Sequence, residues 1–277
     1  MRAALLQITS SDDPAENLVI VRDLLREAAA KGAGFVLTPE VTNCVSTSRS
    51  HQNAVLHLEK DDPTLASLRA DAKTLGIWLL VGSLALKTND KDGRFANRSF
   101  LIDPSGEIKA RYDKIHMFDV QVTPEETYRE SDGYRPGRQA NVVKTPFGSL
   151  GMTVCYDVRF PHLYRTLAQS GADILTVPAA FSPVTGAAHW EVLLRSRAIE
   201  TGCYVLAPAQ TGTHKTVRGK GRRTHGHTMV IAPWGEILAD AGTDCGITYV
   251  DLDLDLVSKA RSKVPSLTHD RKFDGPK

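Results

Sequence analysis

"GMTVCYDVRFPHLYR", residues 151–165, sets a single cysteine between an apolar run and the opening of a helix. Residues 148–154 form a short apolar run with a turn signal in front, which reads as a buried strand. Phe160-Pro161 then puts a proline where the first turn of a helix tolerates one. Cys155 is therefore placed at the carboxyl end of a strand, immediately before a helix. Open α/β sheets present reactive groups at this position, because the strand ends there and the next helix points its backbone amides at a developing negative charge. Cysteine is also among the most often buried residue types, so a small core residue that ends a strand is the competing reading.

The same plan recurs on both sides of this segment. Residues 2–8 alternate as a strand, and 14–31 carry helical spacing through Leu18, Val21, Leu24, Leu25 and Ala28. "GFVLTPE" from Gly34 reads as a buried strand ending at Glu40, which completes a β-α-β unit. A second helix with an acidic start spans 62–75, followed by a strand over 77–86 and by two strands around the Pro-Ser-Gly turn of "NRSFLIDPSGEIKARYDK". After the cysteine come a helix over 161–170, a strand over 174–177 and a helix over 188–201 with Trp190, Leu193, Leu194, Arg197 and Ala198 on one side. The last third is strand-rich: "CYVLAPAQ", "HTMVIAPWGEILAD" around a Pro-Trp-Gly turn, and "ITYVDLDLD". The polar tail, 266–277, is expected to pack on a partner or fray.

Nothing in the 277 residues looks like a linker, so one domain over 1–277 is expected. The 42% hydrophobic content supports a substantial core, and a net charge of +2 names no partner. The four cysteines, at 44, 155, 203 and 245, form no CxxC pair, which points away from a disulfide framework and toward a reducing compartment. The first ten residues already read as a strand rather than as a cleavable signal, and the longest apolar stretch, 76–86, falls short of the roughly 20 residues a bilayer requires. A cytoplasmic protein without a membrane partner is the expectation.

A nucleophilic thiol needs a base to take its proton. Glu40 in "LTPEV" stands at a strand end and could be that base. Lys114 in "YDKIHMFD" follows a strand and could stabilise an oxyanion together with the backbone N–H of Tyr156. Glu130 in "YRESDGYRPG" is read as lying in a loop just ahead of a strand. Each charge alone is more often a solvated or salt-bridged surface group. In this order and in these local sequences, however, the chain resembles the nitrilase superfamily of carbon-nitrogen hydrolases over nearly its whole length, from "LLQITS" to the "PWGEILA" hairpin.

That resemblance implies a four-layer α-β-β-α sandwich, no cofactor, and a homodimer or larger homo-oligomer. It implies Glu40 as general base, Lys114 at the oxyanion, Cys155 as nucleophile and Glu130 as an assisting glutamate. "CYDVRFPHLYR", "AAHWEVLLRSRAIETGCYVLAPAQTGTH" and "THGHTMVIAPWGEILAD" look most like the amidase branch that includes deaminated glutathione amidases and omega-amidases. The expected reaction is hydrolysis of a small linear amide bearing a carboxylate, to acid and ammonia through a thioester. Arg159 is the expected substrate-binding residue, because it matches a position at which related carbamoylases hold the substrate carboxylate, a group that suits an arginine fork; an omega-amidase or an N-carbamoyl amino acid amidohydrolase is the alternative. A salt bridge from Arg159 to Asp157 or to the tail is the structural alternative.

"KTVRGKGRRTHGH", 215–227, departs from the pattern with five Lys or Arg, and reads either as a solvated loop or as a border of the site that selects acidic substrates. Two other classes compete. A metal hydrolase could use His214, His225 and His227, although their spacing lacks an accompanying carboxylate. A nucleic-acid binder could use the basic loop, but the overall charge is small and no aromatics interleave.

Overall fold

Alternation along the first strand, Arg2–Gln7, decides how the layers stack, because successive side chains point to opposite faces. The computed structural model describes residues 1–124 and 126–276. Ala4 and Leu6 join Val36, Leu79, Val81 and Phe100 in a core closed by Val21 and Leu25 of the helix Pro14–Ala30 and by Leu65 and Leu68 of the helix Pro63–Leu75. Ala3, Leu5, Leu37, Leu80 and Leu101 belong to the other core, which they share with Leu150, Met152, Leu175 and Leu206 of a second sheet. Leu167 of the helix Pro161–Gln169 and Trp190 and Leu194 of the helix Pro183–Thr201 belong to that core as well. Each such side chain contributes about 1.5–3 kcal/mol when fully buried. The result is the α-β-β-α sandwich.

The two sheets follow one plan. The first runs Gly246–Asp251, Arg2–Gln7, Phe35–Leu37, Trp78–Leu86, Ala96–Ile102, Ile108–Asp113, with its second to fourth strands parallel. The second runs Ile237–Asp240, Met229–Ile231, Tyr204–Ala207, Ile174–Thr176, Gly148–Met152, Asn141–Thr145, and its middle pairs, Leu150 with Ile174 and Ile174 with Tyr204, are again parallel. Parallel strands end together, so the segments that leave Leu37, Met152 and Thr176 emerge at the carboxyl edges of their sheets. Two antiparallel steps, from Trp78–Leu86 to Ala96–Ile102 and on to Ile108–Asp113, return Lys114 to the same edge as Glu40.

Several expectations change. The strand after Gly34 is only Phe35–Leu37, and Glu40 stands in the turn beyond it. The helix expected from 188 begins at Pro183; proline suits its first turn, and Gly186 leaves room for the His225 ring, whose Cγ would lie 2.3 Å from an added Cβ. Glu130 is not in a loop ahead of a strand: it follows the strand Glu126–Arg129, which pairs with Asp119–Thr123, and opens a one-turn helix, Glu130–Gly133. A short helix, Arg49–Val55, has no counterpart in the sequence reading. The tail packs at first on its own chain, where Arg165 and Gln169 bond the carbonyls of Ser266 and Leu267 and the carboxylate of Asp270.

Candidate active site

Glu40 reaches its place because two backbones come unusually close. The register between Trp78–Leu86 and Ala96–Ile102 slips between Val81 and Leu84, and Gly82 lies in that irregularity. A Cβ on Gly82 would sit 2.0 Å from the Thr38 carbonyl oxygen and 2.5 Å from that of Pro39. The missing side chain lets the Thr38-Pro39-Glu40 turn lie across the strand. Ser83 Oγ then accepts the Val41 N–H at 2.7 Å, which holds the turn.

Cys155 has φ 51°, a left-handed conformation that costs a non-glycine residue of order 1–3 kcal/mol. It heads a short 3-10 turn, Cys155–Arg159, before the helix Pro161–Gln169 begins. The turn is held from outside. Cys155 N–H donates to the Pro178 carbonyl at 2.9 Å, and the wholly buried Asp157 carboxylate accepts Val154 N–H at 2.9 Å. The same carboxylate accepts the Tyr112 hydroxyl at 2.6 Å and the His116 backbone N–H at 3.0 Å. Asp157 thus ties the nucleophile turn to residues on either side of Lys114. Tyr156 N–H, between bonded neighbours, has no protein acceptor among the described residues.

The four charged or nucleophilic groups meet in one place. Lys114 Nζ lies 2.9 Å from Glu40 Oε1 and 2.9 and 2.8 Å from the two Glu130 oxygens. Asn97 Nδ2 donates to Glu40 Oε1 at 2.9 Å, and Ala180 N–H donates to Glu40 Oε2 at 2.8 Å. Cys155 lines the same cavity, where the Glu40 carboxylate acts on its thiol. Glu40, Lys114 and Cys155 are 3%, 2% and 6% exposed, so their charges act in a low dielectric.

Burial works against the Glu40 charge, but Lys114 and then Arg222 outweigh it and hold the carboxyl below its usual range. Burial also opposes the Lys114 ammonium, yet Glu130 and Glu40 lift its pKa well above that of an ordinary lysine. The thiol moves the other way: burial, reinforced by Glu40, pushes Cys155 far above its ordinary value, with Lys114 only partly offsetting it. At neutral pH the site therefore holds a carboxylate, an ammonium and a neutral thiol.

These groups line a cavity of about 370 Å³ together with Phe118, Tyr128, Tyr156, Phe181 and the arginines Arg49, Arg129 and Arg222. Arg159 is not on its wall. The Arg159 guanidinium faces His189 Nδ1 at 3.3 Å and lies over the rings of Tyr156 and Phe181, whose residues do line the cavity. The structural alternative is a salt bridge to Asp157 or to the tail; Asp157 is instead engaged by Tyr112, His116 and Val154, and the partner of the Arg159 guanidinium is His189. Asn97, Ala180 and Arg222 were not singled out from sequence; only Arg222 carried a signal, as part of the basic loop. The three histidines of the metal reading do not converge. His214 is bonded at both ring nitrogens, to Ser10 O and Thr224 Oγ1, and His225 stacks on His227, which pairs with Asp240. Among the described residues, no group of three or more His, Cys, Asp or Glu could hold a metal ion, and no helix is long and apolar enough to cross a membrane.

A family model for carbon-nitrogen hydrolases matches residues 2–262. Deaminated glutathione amidase of Yersinia enterocolitica is 41% identical over 271 residues, which cover 97% of this chain and 92% of that protein. Among solved structures, the C. elegans NitFhit protein is similar with a TM-score of 0.88 and 34% identity over 98% of this chain and 65% of its own. A mutant of the amidase from Nesterenkonia sp. AN1, showing Michael addition of acrylamide at the active-site cysteine, is similar with a TM-score of 0.77 and 29% identity over 96% of this chain and 98% of its own.

Proposed function

This chain belongs to the carbon-nitrogen hydrolase family and is a cysteine amidohydrolase acting on non-peptide carbon-nitrogen bonds, and from that premise we propose the roles of its site residues and the class of its substrate. Cys155 is the nucleophile and Glu40 its general base. As sulfur attacks the amide carbon, the thiol proton passes to Glu40, which suits a thiol too buried to ionise beforehand. The developing oxyanion is met by Lys114 and the Tyr156 N–H. Glu130 holds the ammonium from its other side. Glu40 returns the proton to the departing nitrogen, leaving a thioester; it then takes a proton from water as that water attacks, and passes it to the Cys155 sulfur as the carbon–sulfur bond breaks and the acid is released. The observation that carries this reading is the buried Lys114 ammonium held between two carboxylates at 2.9 and 2.8 Å, beside a neutral thiol.

The substrate is a small linear amide that carries a carboxylate, with deaminated glutathione the first candidate. Two observations support this: the 41% identity to a relative named for that activity, and the three arginines on the cavity wall. Glutathione is a tripeptide, so its deaminated form has only secondary amides and would release an amine; a primary amide such as alpha-ketoglutaramate would release ammonia. A homo-oligomer is supported by the exposed Val184, Val192 and Ile199 on the helix Pro183–Thr201 and by Trp234 and Leu238 elsewhere on the surface.

Cys155→Ala should abolish turnover with the fold intact by circular dichroism. Rapid acid quench of the wild type should add an acyl mass to the peptide containing Cys155. Substantial turnover by the alanine variant, or an acyl group on another residue, overturns these roles.

A further inference from the structure

The basic loop enters the fold through one residue. It joins the strands Thr211–Thr213 and Arg223–His225, and most of its side chains are exposed, Val217 at 77%. Arg222 is different. Its carbonyl accepts the N–H of the buried His214 at 2.9 Å, which fixes the backbone at the base of the loop. Its guanidinium donates from Nη2 to the Ala180 carbonyl and lies 5.6 Å from the centroid of the Tyr128 ring. Ala180 is also the residue whose N–H holds Glu40, so the guanidinium stands one peptide unit from the base. Its effect on the Glu40 carboxyl is second only to that of Lys114 among the surrounding charges.

This placement is costly unless something receives the charge. Arginine on a solvated loop would turn its head to water, where all five N–H donors are satisfied. Here Nε is buried and has no acceptor, and among the described residues no carboxylate forms an ion pair with Arg222. The other charges on the wall differ. Arg49 already bonds the carbonyls of Asp132 and Gly93, Arg129 is exposed, and Glu40 and Glu130 are engaged by Lys114. Arg222 is thus a cation on the cavity wall that no carboxylate among the described residues neutralises, with only Nη2 bonded to a carbonyl.

We infer that Arg222 is the specificity-determining residue of this site, binding the carboxylate of the substrate while Cys155 attacks the amide at the other end. This rests on the proposed carboxylate-bearing substrate. The loop then acts as the carrier that brings the anchor in from the surface, and the Ala180 carbonyl and Tyr128 ring set the direction of the fork. Because the anchor and the base share Ala180, the distance from carboxylate to reacting carbon is set by the fold rather than by a flexible side chain. Arg159, by contrast, does not line the cavity, and its guanidinium lies over the rings of Tyr156 and Phe181 and against His189.

The test compares deaminated glutathione and alpha-ketoglutaramate, each as the free acid and as its methyl ester, by release of amine or ammonia in wild type, Arg222→Lys and Arg222→Gln. Charged hydrogen bonds of this kind correspond to roughly 10- to 150-fold in kcat/KM, so the wild type should prefer the acid by about that factor. The preference should collapse toward unity in Arg222→Gln, chiefly through a higher KM for the acid, and Arg222→Lys should recover part of it. A wild-type preference that survives in Arg222→Gln overturns the anchor and leaves the substrate reading standing. Equal losses in kcat for acid and ester also overturn it, because they would make Arg222 a partner of Glu40 alone. A wild type indifferent to the carboxylate overturns the substrate reading itself and the anchor with it. Should Arg222→Gln fail to fold, Arg222→Lys, which keeps a donor for Ala180, decides by the same ratio.

Discussion

Lowering the pH from 7 to 4 should weaken folding by about 3 kcal/mol through one side chain, His214. The residue is 2% exposed, with Nδ1 2.7 Å from the Ser10 carbonyl oxygen and Nε2 2.7 Å from Thr224 Oγ1. A neutral ring satisfies both, donating from Nδ1 to the carbonyl and accepting at Nε2 from the hydroxyl. Burial first, and the nearby Arg222 charge as well, lower its pKa from 6.5 to about 4, against the opposing pull of the Ser10 carbonyl. In the unfolded chain the ring titrates near 6.5, so between pH 6.5 and 4 the unfolded state binds a proton that the folded state does not. The contribution is fully present above 6.5 and is lost as the pH falls through 4. A gap of about 2.5 in pKa at ~1.4 kcal/mol each amounts to about 3.5 kcal/mol in full, of which about 3 kcal/mol is lost by pH 4, where the folded ring is half protonated. His214→Gln removes the titration while retaining one donor and one acceptor. Urea unfolding of both proteins at intervals from pH 7 to pH 4 is the assay. The wild type should lose about 3 kcal/mol more than the variant, nearly all of it below 6.5; parallel stability curves would refute the argument.

Lys114→Met deletes the charge while keeping bulk, and should lower kcat by roughly 100-fold or more, on the scale of a lost oxyanion donor; a near-normal kcat would make Lys114 only structural. Gly82→Ala should destabilise the protein by at least 1–3 kcal/mol, the usual cost of forcing extra atoms into a packed site, and should lower activity further because the turn carrying Glu40 must retreat from a Cβ 2.0 Å from Thr38 O. Thermal unfolding and turnover measured together check it, and an unshifted melting temperature would show that the two backbones can part without cost.

The alternation of strand and helix and the positions of Glu40, Lys114 and Cys155 just after strands are readable from sequence, because each depends on signals a few residues long: apolar period, turn residues, a proline in a first turn; the four-layer class comes only from the resemblance to the family. Glu130 was named but misplaced, since the hairpin before it has no strong apolar period and is held by contacts rather than by propensity. The start of the long helix was read five residues late, because Gly186 looks like a loop residue until the His225 ring is seen to occupy the space its missing side chain leaves. Which arginines border the cavity is not legible locally. Arg159 stands two residues from Asp157 in the nucleophile segment, yet its guanidinium meets His189 and does not line the cavity, while Arg222, in a loop that looks solvated, does. Local sequence determines which side chains stand at the ends of strands. Which of them meet is decided by contacts between distant segments, such as Ala180 to Glu40 across 140 residues and Lys114 to Glu40 across 74, and those exist only once the two sheets have packed and the shared core has set their carboxyl edges against each other.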